Sequence, residues 1–266
     1  MPAWSSADAY EPFMGRWSRR LADAAIGWAA PEPGLRWLDV GSGTGALSDA
    51  IVRGADPAST VGIDPAQSYV DAARARLPEA RFEVGGAGDL PFEDSSFDQA
   101  ACGLVLNFVP DVEAVLAEVS RVLVPDGRLI AYLWDYDGGM QMLRSAWDAA
   151  IALDPTASEF DEAEHYTLCY DGALAAALTE AGYRDVRSDS IQIEQPFADF
   201  DDYWRPFLGG QGPAPGYIAT LDDQAREALR VLLFQTHLPS GDGPFTLTAK
   251  AWIVSGLRPP PSGEVP

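Results

Sequence analysis

Three glycines at alternate positions, Gly41, Gly43 and Gly45, stand in the stretch WLDVGSGTGALSDAIV, between a short apolar run and a helix-prone one. Glycine lets a backbone turn tightly and lets a ligand approach where a Cβ would intrude. A helix that starts just after such a turn presents unpaired N–H groups and the positive end of its dipole. This chemistry is recognition of a nucleotide-like ligand. The following Ala46 completes a spacing that a dinucleotide loop tolerates, whereas the lack of a Lys-Ser/Thr pair after the glycines excludes a P-loop. Two carboxylates flank the loop. Asp39 precedes it, where a pyrophosphate is unwelcome and an ammonium welcome, and Asp64 ends the next apolar run, where a carboxylate can accept both hydroxyls of a ribose.

The elements that position these residues follow from periodicity. Strands are predicted over 35–41, 60–64, 81–85, 97–106 and 128–135, the last after a Pro-Asp-Gly turn at 125–127. Helices are predicted between them over 46–53, 68–77 and 112–124, the last with Val112, Val115, Leu116, Val119 and Leu123 at helical spacing. Strands alternating with helices of this length imply right-handed βαβ units and a parallel sheet with both faces covered. Beyond Asp135 the pattern is looser: helices over 139–153, 172–181 and 222–235, strands over 186–195 and 245–257, and a tail over 258–266 expected to lack regular structure. One domain is expected over 1–266. Residues 1–34 form an N-terminal helical cover, 35–135 the ligand-binding core, and 154–170 and 197–243 cap insertions over one end.

DVGSGTG, the strand-end Asp64, LPFEDSSFD at 90–98 and RVLVPDGRL at 121–129, in that order, resemble the class I SAM-dependent methyltransferases. The branch concerned includes the ubiquinone/menaquinone-biosynthesis C-methyltransferases and many small-molecule methyltransferases. The resemblance spans about Tyr10 to Trp134. It implies an α/β fold: a Rossmann-like, doubly wound, mostly parallel seven-stranded sheet with an antiparallel last strand and cap insertions. It also implies S-adenosyl-L-methionine (SAM) as cofactor, S-adenosyl-L-homocysteine as product, and in-line transfer of a methyl group to the O, N or C of a small molecule.

Site residues follow from the same resemblance. Gly41, Ser42, Gly43 and Gly45 would cradle the methionine half of SAM with Asp39 at its amino group. Asp64 would hold the ribose hydroxyls, and Pro65 and Ala66 would lie beside the adenine. Gly86 and Ala87 stand where many relatives place an adenine-binding side chain, which is missing here; Asp89 is a substitute from the same loop. Leu104 to Phe108 would line the cleft, with Asn107 where relatives often carry His. Tyr10 would stack near the sulfonium, and Arg16 would pair with the methionine carboxylate.

The cofactor carries the reactivity, so the protein mainly aligns the nucleophile, and a base is needed only for a protonated acceptor. No catalytic dyad is evident. His165 and His237, the only histidines, and Asp135 and Tyr136, just past a strand's carboxyl end, are candidate bases. Trp134, Trp147, Tyr203, Trp204, Phe207 and Tyr217 suit a flat acceptor or form the core of the cap. Two other readings stand beside this one. An NAD-dependent oxidoreductase matches the loop spacing but lacks a Tyr-xxx-Lys pair, Lys250 being the only lysine. A non-catalytic SAM-binding protein of the same fold matches Gly86 and the lack of a base.

Bulk composition narrows the partners. A net charge of −22, from 40 acidic and 18 basic residues, repels phosphate backbones and anionic lipid, so nucleic-acid and membrane partners are not expected. Two distant cysteines, Cys102 and Cys169, make neither a disulfide framework nor a zinc site, and no metal is expected. The absence of a signal-like start points to a cytoplasmic protein of small-molecule biosynthesis; oligomeric state is not legible.

Overall fold

Alternate residues of the central strands go to opposite faces of a single sheet, and each face carries its own core. In the computed structural model, which describes residues 10–210, 212–237 and 242–259, Trp37, Ile130, Tyr132 and Trp134 join one buried cluster, while Leu38, Leu129, Ala131 and Leu133 join the other. The end of the expected tail, from 260 onward, and the start of the expected N-terminal cover, 1–9, lie outside the described residues.

The chain enters through a π turn at Glu11–Gly15 and helix α1 (Arg16–Ala29). Strands and helices then alternate: β1 (Arg36–Val40), α2 (Ala46–Gly54), β2 (Ser59–Asp64), α3 (Gln67–Arg76), β3 (Arg81–Val84), β4 (Phe97–Gly103), α4 (Val112–Val122) and β5 (Leu123–Trp134). After β5 come α5 (Gln141–Leu153), α6 (Ala173–Glu180), β6 (Arg184–Phe197), α7 (Pro213–Thr220), α8 (Asp223–His237) and β7 (Phe245–Leu257). The seven strands lie in the order β3-β2-β1-β4-β5-β7-β6, with β7 antiparallel to both neighbours and the first five mutually parallel. This is the Rossmann-like architecture expected, antiparallel last strand included. β1 sits between β2 and β4, so the connections leaving β1 and β4 diverge above their carboxyl ends. Open α/β sheets bind ligands in that crevice.

Local chemistry explains where boundaries shift from the expected ones. β4 stops at Gly103 because Leu104 adopts a left-handed backbone (φ 59°) while its N–H still reaches the Tyr132 carbonyl at 2.8 Å. The Pro-Asp-Gly turn does not precede β5 but interrupts it: Asp126 is also left-handed (φ 62°), and the β4–β5 register shifts between Phe97 and Gln99. It is a bulge in a strand that starts at Leu123. The acidic stretch 154–170 is more regular than its composition suggests. Asp154 Oδ1 accepts from Thr156 N (2.9 Å) and Asp161 Oδ1 from Ala163 N (3.0 Å), capping short helical turns at Pro155–Phe160 and Glu162–His165.

α1, α2, α5 and the cap cover one face, and α4 and α6 the other. Cys102 and Cys169 are both buried and free. Among the described residues no helix is long and apolar enough to cross a membrane, and no group of three or more His, Cys, Asp or Glu side chains could hold a metal ion.

Candidate functional site

The carboxyl ends of β1, β2, β4 and β5 meet a cavity of about 510 Å³, a size suited to a ligand larger than a simple metabolite. Its floor is the glycine loop. Gly41 N and Ser42 N both donate to the Ile63 carbonyl (2.8 and 3.0 Å), tying the loop to β2. A Cβ on Gly41 would lie 2.4 Å from Val105, so only glycine permits that approach. Gly43 differs: its φ is +52°, and a Cβ there would meet nothing within 4 Å, because the position opens on the cavity it lines. Asp64 Oδ2 accepts from Gly43 N and Oδ1 from Ala66 N, each at 2.9 Å, which fixes the loop against the strand end. Burial pushes the Asp64 carboxyl above its usual range despite these two donors.

The N-terminal segment closes one side. Tyr10, Phe13, Met14 and Ser18 line the cavity, and Tyr10 OH meets Ser18 Oγ at 2.9 Å beside the Tyr69 ring. Glu11 clamps this segment to the glycine loop: Thr44 Oγ1 donates to it at 2.5 Å, with Arg19 and Arg76 on the same carboxylate. At the far side, Phe108, Tyr166, Tyr136 and Trp134 form an aromatic wall, with Tyr166 centred 5.3 Å from Phe108 and 5.7 Å from Tyr136. Asp64, Asp111 and Glu162 line the cavity, whereas no lysine, arginine or histidine among the described residues does.

Of the expected cofactor residues, Gly41, Ser42, Gly43, Asp64, Pro65, Ala66, Gly86, Ala87, Leu104 and Tyr10 line this one cavity. Others are placed differently. Arg16 is not at the cavity: its guanidinium pairs with Asp202 at 2.8 Å and stacks over Trp17 and Phe197, because a planar cation finds both a carboxylate and ring faces there. Asp39, 1% exposed, stands behind the loop instead of in the wall; Ser48 Oγ donates to its Oδ2 at 2.6 Å, and its Oδ1 is buried without a partner. Burial pushes the Asp39 carboxyl up to about 7. Gly45 is also behind the wall, as the left-handed N-cap of α2 (φ 86°). Asp89 and Asn107 do not line the cavity, so neither supplies the missing side chain at Gly86.

The candidate bases are largely displaced too. His165 is exposed and its Nε2 lies 2.7 Å from the Glu159 carbonyl. His237 stacks on Phe245 and meets Tyr203 edge-on, within the cap core, where burial lowers its pKa. Asp135 is buried against Lys250 (2.7 Å) away from the cavity. Tyr136 alone of the four lines it, and burial raises its hydroxyl well above the usual range. Of the six cap aromatics, Trp134 lines the cavity; Tyr203 and Phe207 are fully buried in the cap core.

Sequence reasoning missed Glu162. It lies within the acidic stretch assigned to the cap, and its environment rather than its spacing distinguishes it. The capping Asp161 just before it was the available signal that this stretch turns inward as a helix.

The methyltransferase domain family matches residues 38–131. An uncharacterized methyltransferase of Mycobacterium tuberculosis is 39% identical over 106 residues, 40% of this chain and 42% of its own length. The chain thus spans about two-fifths of the length of that mycobacterial relative. A demethylmenaquinone methyltransferase of Beutenbergia cavernae is 31% identical over 183 residues, 65% of this chain and 74% of that protein. Among solved structures, the YcgJ protein of Bacillus subtilis shares the fold with a TM-score of 0.56 at 21% identity, over 92% of this chain and 99% of that one.

Proposed function

This chain belongs to the class I SAM-dependent methyltransferases, with SAM as its cofactor, and from that premise we propose that it methylates a small, uncharged aromatic acceptor. The observation that carries the reading is one cavity walled by the glycine loop and Asp64 at one side and by aromatic rings at the other, with no cation in its lining among the described residues. The charged side chains that an anionic acceptor would meet among the described lining residues are all carboxylates. Demethylmenaquinone, the acceptor in the name of the Beutenbergia cavernae relative, is an uncharged ring compound of that class.

The residues fit the cofactor on two observations. Gly43 leaves open the space that a side chain would fill, and Ser42 Oγ, Tyr69 OH and the Trp134 indole N–H, on residues that line the cavity, are buried without hydrogen-bond partners. Buried polar groups of this kind are ordinarily satisfied, so a ligand that brings donors and acceptors suits them. Asp39 Oδ1, behind the loop, is a fourth such atom. Gly41, Ser42 and Gly43 would hold the amino-acid end, Asp64 the ribose, and Pro65, Ala66, Gly86 and Ala87 the adenine. SAM, when bound, supplies an electrophilic methyl on a sulfonium. The chain's part is to align the acceptor ring against the aromatic wall and to exclude water, with the Glu11 clamp closing the N-terminal segment over the loop.

Calorimetry with S-adenosylhomocysteine, followed by transfer of labelled methyl to a panel of ring compounds, tests the reading. We expect binding of the product nucleoside and transfer to uncharged hydroxylated rings or reduced quinones, with carboxylated or phosphorylated analogues of the same rings left unmodified. Transfer confined to the anionic analogues, or no binding of S-adenosylhomocysteine, would overturn it.

Asp64→Ala should weaken S-adenosylhomocysteine binding by about 1.5–3 kcal/mol, the scale of hydrogen bonds to a charged group. Asp64→Asn should weaken it less, because one amide oxygen can still accept from Gly43 N or Ala66 N. Unchanged affinity in Asp64→Ala by calorimetry would place the ribose elsewhere.

A further inference from the structure

We propose that Glu162 is the catalytic proton acceptor for the methyl acceptor, taking the proton of a ring hydroxyl as the methyl group is transferred. The proposal rests on the methyltransferase reading and extends it to the acceptor's functional group: a phenol or the reduced, dihydroxy form of a quinone.

The geometry begins with position. Glu162 is 4% exposed yet lines the cavity, on the one-turn helix Glu162–His165 that Asp161 caps. It shares the cavity with Phe108, Tyr136 and Tyr166, the rings against which a flat acceptor would lie. Of the three carboxylates in the lining, Asp64 is committed to the glycine loop, and Asp111 caps α4, its Oδ1 accepting from Ala114 N at 2.9 Å. Glu162 is the carboxylate on the aromatic side.

The side chain is held rather than neutralised. Trp147 Nε1 donates to its Oε2, and the Ala214 N–H, in the first turn of α7, also favours its charged form. Among the described residues no cation pairs with it. The guanidinium of Arg144, on α5, pairs instead with Asp161 at 2.7 Å and with Asp148 at 2.9 Å. The remaining titratable groups that face it are Asp161, Tyr136 and Tyr166, and all three oppose its ionisation or are opposed by it. Burial therefore dominates and pushes its carboxyl up to about 7, where a base and its conjugate acid are both accessible near neutrality. A carboxylate oriented by an indole N–H and a helix N-terminus, but without an ion-pair partner, is suited to exchange a proton.

The step balances. The hydroxyl proton passes to the Glu162 carboxylate, and the electron pair left on the acceptor, on oxygen or shared with the ring carbon beside it, bonds the incoming methyl. The bond from methyl to sulfur breaks, its pair stays on sulfur, and the sulfonium charge is lost as Glu162 becomes neutral. In the ring-carbon case the hydrogen displaced from that carbon returns to the oxygen. Glu162 then releases its proton to water to restore the starting state.

The test uses 2-naphthol as probe against the full chain loaded with S-adenosylhomocysteine, with binding followed by calorimetry from pH 5.5 to pH 8. We expect naphthol affinity to rise about tenfold through neutrality in the wild-type protein, as ionised Glu162 comes to accept the hydroxyl. Glu162→Gln, which keeps an acceptor for the Trp147 N–H, should bind S-adenosylhomocysteine normally and naphthol without that pH dependence. In the wild type, 2-methoxynaphthalene, which has no hydroxyl proton, should bind without it too, so the result does not hang on the variant's folding. A flat naphthol profile in the wild type, the same rise with the methoxy probe, the rise persisting in Glu162→Gln, or no naphthol binding to the loaded protein would overturn the proposal. Failure of S-adenosylhomocysteine itself to bind would instead overturn the methyltransferase reading beneath it.

Discussion

Gly43→Val abolishes S-adenosylhomocysteine binding while leaving a folded protein: this is the largest effect on binding expected of a single substitution at the site. The Cβ at Gly43 meets no protein atom within 4 Å, so the added side chain displaces no neighbour and occupies the cavity instead. Two effects combine, and they can be separated. Gly43 has φ +52°, where a β-branched residue is strained by roughly 1–3 kcal/mol, and its N–H anchors Asp64 Oδ2. Gly34, with φ +78° and equally open space, precedes β1, at the opposite end of that strand from the cavity. Gly34→Val should therefore match the loss of stability in a thermal melt and keep wild-type binding. Binding lost in both variants, or retained in Gly43→Val, would refute the placement of the ligand over Gly43.

The contrast between the glycine loop and the cap explains how much could be read from the chain. Gly41, Gly43 and Asp64 act through local geometry: a tight turn, an open Cβ position and a strand-end carboxylate that accepts from the Ala66 N–H two residues on. Short spacing records such relations, and all three line the cavity. The alternation of Trp37 with Leu38, and of Ile130, Tyr132 and Trp134 with their neighbours, likewise writes a two-faced sheet into the strand sequence. Arg16, Asp135 and His237 failed as site residues because their partners are remote in sequence. Asp202, Lys250 and Tyr203 come to them through the closing of the sheet and cap, and no periodicity announces such pairs. Glu162 was invisible for the same reason. Its partners Trp147 and Ala214 lie on two different helices, and a charged residue in an acidic stretch is ordinarily solvated. Where the chain must assemble a pocket from separate insertions, composition describes the parts and tertiary packing decides which of them faces inward.

Two buried acids, Asp39 and Glu162, make the free protein lose stability as the pH rises from about 4 to about 7. Burial raises the carboxyls of Asp39 and Glu162 to about 7 in the folded chain, from ordinary values of 3.8 and 4.5. Between those limits the unfolded chain has released both protons and the folded chain retains them. Unfolding then releases protons, so stability falls with rising pH; below the unfolded values the penalty vanishes, and above about 7 it is complete. At about 1.4 kcal/mol per unit, each acid costs a few kcal/mol at pH 8. The surface charge of −22 gives a pH dependence of its own, so the informative quantity is the difference between variant and parent. Asp39→Asn, which can still accept from Ser48 Oγ, and Glu162→Gln, which can still accept from Trp147 Nε1, should each unfold at higher urea than the parent at pH 8 and at nearly the same urea at pH 4. The gains should add in the double variant, because Asp39 lies behind the glycine loop and Glu162 in the cap, with no shared partner. Equal differences at pH 4 and pH 8 would mean that packing or lost hydrogen bonds, rather than buried charge, set the effect. A gain confined to pH 8 would show that the free protein holds two carboxylates at a cost to its own fold, as a site poised to handle protons and cations does.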